Sequence, residues 1–465
     1  MTHWMIDDDF LQELLKKALS HGGEYADIFV EHRETTSIQL EDNRIEKVVS
    51  GSMSGIGIRL IYKGKTAYAF SNDFSKKILL DLAVTVSKAA ADTVLDVIID
   101  MKQQRPKKIS SIKIPPGSVT LDEKIALVQQ GNKAVRSLDT RIRQASIIYR
   151  DTLQKVKIAT SDGKVTEDER IYTIGAAHII AADSTSIQTA HESAGGLAGY
   201  ELFETNPMDT LAETAARRAI MLLGARKAPG GRMPVIISSS AGGTMIHEAI
   251  GHGLEADLAR QGLSVYSNKL GAQVASPLVT VIDDATIPNK RGSFSVDDEG
   301  TDARKNILVS EGILIGYMYD KYNAFIDKTN STGNGRRESY ESKPIPRMTN
   351  TMIAPGKLSP DEVLGSVASG LFVKKMGGGQ VNTVTGDFVF EVQEGYMIEN
   401  GSAADPVKGA TLTGNGPSVL LSIDMVASDL GFSIGTCGKD SQGVPVSDAM
   451  PTLRIPEMVV GGEVR

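Results

Sequence analysis

Cysteine occurs once in the 465 residues, at Cys437, and tryptophan also once. One thiol excludes an intrachain disulfide, so this is no stapled secreted scaffold, and a reducing compartment fits. No apolar run approaches the ~20 residues a spanning helix needs. The N-terminal residues MTHWMIDDDF turn acidic where a secretory signal would carry a basic and then an apolar region. A cytoplasmic protein without a membrane partner is expected. Basic charge is scarce too: 50 Lys and Arg against 57 Asp and Glu leave a net charge of -7. With no basic tail to track phosphates, nucleic acid is not an expected partner. Aromatics are sparse at 5%, but 41% apolar and 23% charged residues make a globular composition, which excludes disorder and collagen. At ~150 residues per domain, the length predicts roughly three folding units.

Asp7 to Asp9, an apolar face of Phe10, Leu11, Leu14, Leu15, Ala18 and Leu19, and the stop Gly22-Gly23 predict a surface helix. Alternating, β-branched sequence from Asp27 to Asn72, with a turn at Lys63-Gly64-Lys65, predicts an antiparallel sheet, and a second helix follows over Lys76–Ala91. QQRPKKISSIKIPPG has three prolines and no helical period, as a linker would. The order then recurs: a capping box at Thr120 and Glu123 opens a helix to about Ser137, β-rich sequence runs from Arg141 to Leu197, and a helix over Leu211–Arg226 closes the unit. After the APGGR run the composition changes, with 30 of the 46 glycines following Met233 among short strand-like stretches. Ser359, Pro360, Glu362 and Gly370 mark one helix there. The expected fold class is α+β. Helix–antiparallel sheet–helix units at 1–102 and 120–228, joined by a linker at 103–119, precede a β-rich C-terminal domain at 233–465 that carries a metal-site helix.

Only two of the 7 histidines lie beyond His191, and both fall in TMIHEAIGHGLEAD, with Glu248 directly after His247. Histidines at i and i+4 stand about 40° apart around an α-helix, whereas His247 and His252, at i and i+5, would stand about 140° apart. A regular helix cannot aim both at one metal. Gly251 and Gly253 supply the way out, because a π-bulge or helix end there would swing His252 back beside His247. Two imidazoles at a zinc ion leave room for a third protein ligand and an open position. Cys437, between Gly435 and Gly438, leads the candidates, with Asp257, Asp297 and Asp298 as carboxylate competitors. Glu248, next to a ligand, is placed to take a proton from attacking water. A His or Cys in a glycine-rich core also packs as an ordinary hydrogen-bonded residue.

HEAIGHGLEAD, RGSFSVDDEGT, STGNGRRESY, PRMTNT, GGGQV, GATLTGNG and CGKDSQGVPVSDAMPTLRI together resemble the TldD branch of the TldD/PmbA (TldE) family. That family was long labelled modulators of DNA gyrase and is regarded as metallopeptidases. The resemblance spans Met233 to Arg465 and, more loosely, the N-terminal half. It implies zinc held by His247, His252 and Cys437 with Glu248 as base, peptide substrates, and a dimer with itself or with a TldE/PmbA-like subunit. The TldE branch resembles the same fold without the histidine motif, which is intact here. One departure is Ser441, where the family's CGKxGQ string has glycine.

Arg336, Arg337 and Tyr340 in STGNGRRESY are candidates for a substrate carboxylate or an oxyanion, with a domain-packing ion pair the equal alternative. GGGQ (Gly377 to Gln380) lacks the Gly-Lys-Ser/Thr ending of a P-loop and reads as a strand-entry turn. The leading expectation is a zinc metallopeptidase acting on short or unfolded peptides. Its rival is a non-enzymatic regulator binding DNA gyrase or DNA, against which the acidic charge and complete hydrolytic constellation count. A third reading makes Cys437 a nucleophile with His247 as base.

Overall fold

The computed structural model describes residues 6–90 and 98–463. Helix α1 (Asp8–Ala18) is capped by Asp7, whose side chain accepts from Phe10 N, and it buries Leu11, Leu14, Leu15 and Ala18, as its period predicts. Strands β1 (Tyr25–Glu41), β2 (Arg44–Tyr62) and β3 (Lys65–Ser71) form the expected antiparallel run. Helix α2 runs Lys76–Ser87, and the expected end at Ala91 lies outside the described residues. The second unit repeats the order. Helix α3 (Leu121–Arg136), opened by the Thr120–Glu123 capping box, precedes β4 (Ile142–Thr160), β5 (Lys164–Ala182) and β6 (Ile187–Leu197), and helix α4 (Met208–Gly224) closes it.

The two units share one sheet, because β1 pairs antiparallel with β4 from Asp27↔Thr160 to Glu41↔Ser146. Side-chain alternation then decides what each face meets. Ile28, Val30, Ile38 and Leu40 of β1 face the helices, packing with α1 and α2 at one end and with α3 and α4 at the other. Asp27, Phe29 and Glu31 face the opposite way, onto the C-terminal domain. Within the expected linker, Lys102–Gln104 pairs parallel with Lys164–Thr166, and Pro116–Ser118 makes a 3-10 turn.

The C-terminal domain holds two further large sheets, the first strand of one being Arg226–Lys227. Their shared core encloses the helical stretch after Gly243, with Met245, Ile246 and Ile250 fully buried. The architecture is α+β. Among the described residues no helix is long and apolar enough to cross a membrane.

Three local expectations change. The helix expected over Leu211–Arg226 runs Met208–Gly224, because Ala225 is extended and Arg226–Lys227 pairs with Val407–Lys408 in a C-terminal sheet. The Ser359-capped helix ends at Gly365 and not at Gly370. Val367 turns into the core, and Gly370 enters the strand Ser369–Val381, where a Cβ would meet Pro234 O at 2.4 Å. GGGQ lies inside that strand and does not open it. The glycines accommodate register shifts against the strand Asp387–Glu399, and a Cβ on Gly379 would strike the Phe390 ring.

Candidate metal centre

The histidine motif starts as an α-helical turn (Thr244–Ile246), becomes a π-helix (His247–Gly251) and ends as a 3-10 turn (His252–Leu254). The backbone N–H of His252 donates to the carbonyl of His247, so residues five apart are stacked by one hydrogen bond. Close packing maintains the wide turn: a Cβ on Gly251 would meet Met348 Sδ at 2.2 Å, and one on Gly253 the Tyr266 ring at 2.6 Å. The Tyr266 hydroxyl donates to the Ala249 carbonyl inside the turn. As a result the two imidazoles meet edge to face, with ring centroids 5.0 Å apart.

Cys437 lies in the strand Gly431–Lys439, at the edge of a six-stranded sheet, and its side chain points at the histidines. Its sulfur is 3.5 Å from His252 Nε2, and one ligand atom from each of His247, His252 and Cys437 lies within 4.8 Å of the others. Burial raises the thiol pKa, but the two imidazoles outweigh it and hold Cys437 down to about 5. Burial opposes charge on the imidazoles, yet His247 is raised by the Cys437 sulfur, and His252 by the Glu255 carboxylate and the same sulfur. His247 Nδ1 is buried with no hydrogen-bond partner, 3.9 Å from Asp448 Oδ2. Burial lifts the Glu248 carboxyl above its ordinary range.

The carboxylate competitors lie elsewhere. Asp257 accepts from Lys439 Nζ at 2.7 Å. Asp297 accepts backbone N–H groups of Glu299, Thr301 and Gly335, and Asp298 accepts from Arg170 Nη1 at 2.7 Å where the C-terminal domain meets the N-terminal sheet. STGNGRRESY serves the same contact through Arg337 and Tyr340, while Arg336 bonds within the C-terminal domain. Arg336 donates to the Met348 and Pro445 carbonyls, Arg337 donates to Asp298 O and faces Asp27, and Tyr340 packs against Phe29 with its N–H on Glu31. Four residues of the metal centre's surroundings escaped the sequence reading: Glu255, Arg347, Lys439 and Asp448. All four fall inside the quoted motifs, and motif membership was the available signal.

Two imidazoles and a thiol converging with a carboxyl beside them make a donor set of the kind that binds one tetrahedral cation and leaves a position open. Models of the PmbA/TldA metallopeptidase domain 1, central domain and C-terminal domain match residues 26–92, 114–223 and 230–462. A metalloprotease TldD homolog of Haemophilus influenzae is 37% identical over 94% of this chain and 93% of its own length. A crystal structure of a candidate DNA gyrase modulator from Thermotoga maritima superposes with a TM-score of 0.80 at 20% identity, covering 98% of this chain and all of that one. TldE from Thermococcus kodakarensis gives 0.76 at 17%, covering 97% of this chain and again all of that one. At such identities the two structures share the fold. The chain belongs to the PmbA/TldD metallopeptidase family.

Proposed function

We propose that this protein is a cytoplasmic zinc metallopeptidase hydrolysing short or unfolded peptides, alone as a homodimer or paired with a TldE/PmbA-like subunit. The observation that carries the reading is the convergence of His247, His252 and Cys437 beside Glu248. A thiolate and two imidazoles suit zinc, and the unpartnered Nδ1 of His247 and the low thiol pKa fit such a cation. Bound there, zinc would supply Lewis-acid polarisation of the scissile carbonyl and of water. Glu248, whose burial makes it a stronger base than a surface carboxylate, takes the proton of the attacking water and delivers it to the departing amine. A cleft of about 1190 Å³ between the second unit and the C-terminal domain reaches Thr244, one turn before Glu248, and Ser433 on the cysteine strand. Among the described residues that strand pairs only with Gln442–Met450, so its other edge offers backbone groups to an extended peptide.

The nucleophilic-cysteine reading draws on the same thiol pKa, but Cys437 is 3% exposed, which suits a ligand better than an attacking group. Metal determination on protein purified without added zinc tests both. About one zinc per chain, lost in the His247→Ala, His252→Ala double variant, supports the metallopeptidase. Full occupancy in that variant overturns the site, and a metal-free active enzyme revives the cysteine hydrolase.

A further inference from the structure

Glu255 lies three residues after His252 and is fully buried. It is the first residue past the 3-10 turn, with extended backbone (φ -73°, ψ 123°), and a bridge to Met318 holds it in place. This conformation folds its side chain back onto the histidine, with Oε2 3.1 Å from His252 Nδ1. The same oxygen accepts from Lys439 Nζ at 3.1 Å, and Lys439 also donates to Asp257 at 2.7 Å and to the Pro346 carbonyl at 3.0 Å. The other oxygen, Oε1, faces Arg347 Nε at 3.8 Å. Arg347, fully buried, donates to the carbonyls of Cys437 and Gln442 on the two strands of one hairpin. One carboxylate therefore meets groups from the histidine helix, the cysteine hairpin and the Arg347 segment. Removing a carboxylate from water is unfavourable unless its neighbours compensate, and here every compensating group leads to a residue of the donor set.

We infer that Glu255 is a positioning residue for the metal centre: it fixes the His252 ring with Nδ1 protonated and Nε2 facing Cys437, and through Lys439 and Arg347 it locks the cysteine hairpin against the histidine helix. The inference rests on the metal reading above. A carboxylate on the remote nitrogen of a ligand histidine sets the tautomer and raises ligand basicity, and losing such a partner typically weakens metal affinity by about 10–100-fold.

The test compares parent, Glu255→Gln and Lys439→Met by zinc affinity in competition with a chromophoric chelator and by the absorption spectrum of the cobalt(II)-substituted proteins. Glu255→Gln should bind zinc about 10-fold or more weakly and shift the cobalt ligand-field bands, with Lys439→Met changing both in the same direction and less. A purely packing role would lower thermal stability and leave affinity and spectrum alone. If Glu255→Gln does not fold, Lys439→Met and nitrogen-15 histidine spectra of the zinc-loaded parent decide, the latter expected to show His252 protonated on Nδ1 with Nε2 as the ligand atom. Variants matching the parent within about twofold, or a His252 protonated on Nε2, overturn the positioning role while leaving the metal site standing. A parent that binds no zinc overturns both.

Discussion

At the scale of single residues, Glu248 and Cys437 separate chemistry from packing. Glu248→Gln should keep the fold and the zinc but lower peptide hydrolysis by about 10²–10⁴-fold, because an amide cannot accept the water proton. Paired metal analysis and peptide turnover check this, and retained turnover would move the base elsewhere. Cys437→Ser leaves a harder, weaker donor in the same space. It should lose zinc upon dialysis against a chelator that leaves the parent loaded, and equal retention would remove the thiolate from the ligand set.

At the scale of elements, the π-turn and the cysteine hairpin carry the site. Gly251→Ala forces a methyl group against Met348 Sδ, which lies 2.2 Å from where the Cβ must go. Overpacking of this kind costs about 1–3 kcal/mol, shared between the fully buried Met348 side chain and the turn that carries His252. Denaturant unfolding should show the loss together with weakened zinc binding, and undisturbed binding would mean that the turn does not depend on this glycine. The hairpin tip holds Asp440 and Ser441 at φ 49° and 59°, in the left-handed region. Serine stands at Ser441 where the family string has glycine, so Ser441→Gly should stabilise the protein by about 0.5–1 kcal/mol in the same assay.

At the scale of the whole molecule, a buried ion network joins the C-terminal domain to the N-terminal sheet. Arg59 meets Asp27 at 2.5 Å and Glu299 at 2.6 Å, all three almost fully buried. Arg59→Met takes from Asp27 and Glu299 the cation they share and should cost about 3–5 kcal/mol in denaturant unfolding. Nearby, burial and the Glu299 charge push both Asp297 and Asp320 up to about 7. The folded state then holds protons that the unfolded chain releases at ordinary carboxylate values. The stability contributed by these groups is full below about pH 4, falls as pH rises towards 7 and is flat beyond. Asp320→Asn should flatten that slope in unfolding series run at several pH values, and an unchanged slope would show that Asp320 ionises normally. With a charge of -7, any binding of duplex DNA should be weak and salt-sensitive in titrations at several salt concentrations. Tight binding at physiological salt would revive the regulator reading.

Local chemistry was enough to read the long helices of the N-terminal half and the turn at Lys63-Gly64-Lys65, though not the separate strands between Arg141 and Leu197 or the short helix Leu202–Thr205. Caps such as Thr120–Glu123 and the alternation in β1 act over a few residues and need no distant partner. The i, i+5 histidine spacing likewise required a distortion at Gly251, since no regular helix satisfies it. What the chain could not disclose are contacts between residues far apart in sequence. The joining of two units in one sheet depends on β1 meeting β4, more than a hundred residues on. The role of Arg337 depends on which surface the C-terminal domain covers, for an arginine reads alike whether it faces substrate or a buried carboxylate, and that of Arg336 on the Met348 and Pro445 carbonyls that folding brings to it. Glu255, Arg347 and Lys439 looked like ordinary charges until folding brought three segments to one point. Their significance comes from desolvation, a property of the packed interior that no local pattern records.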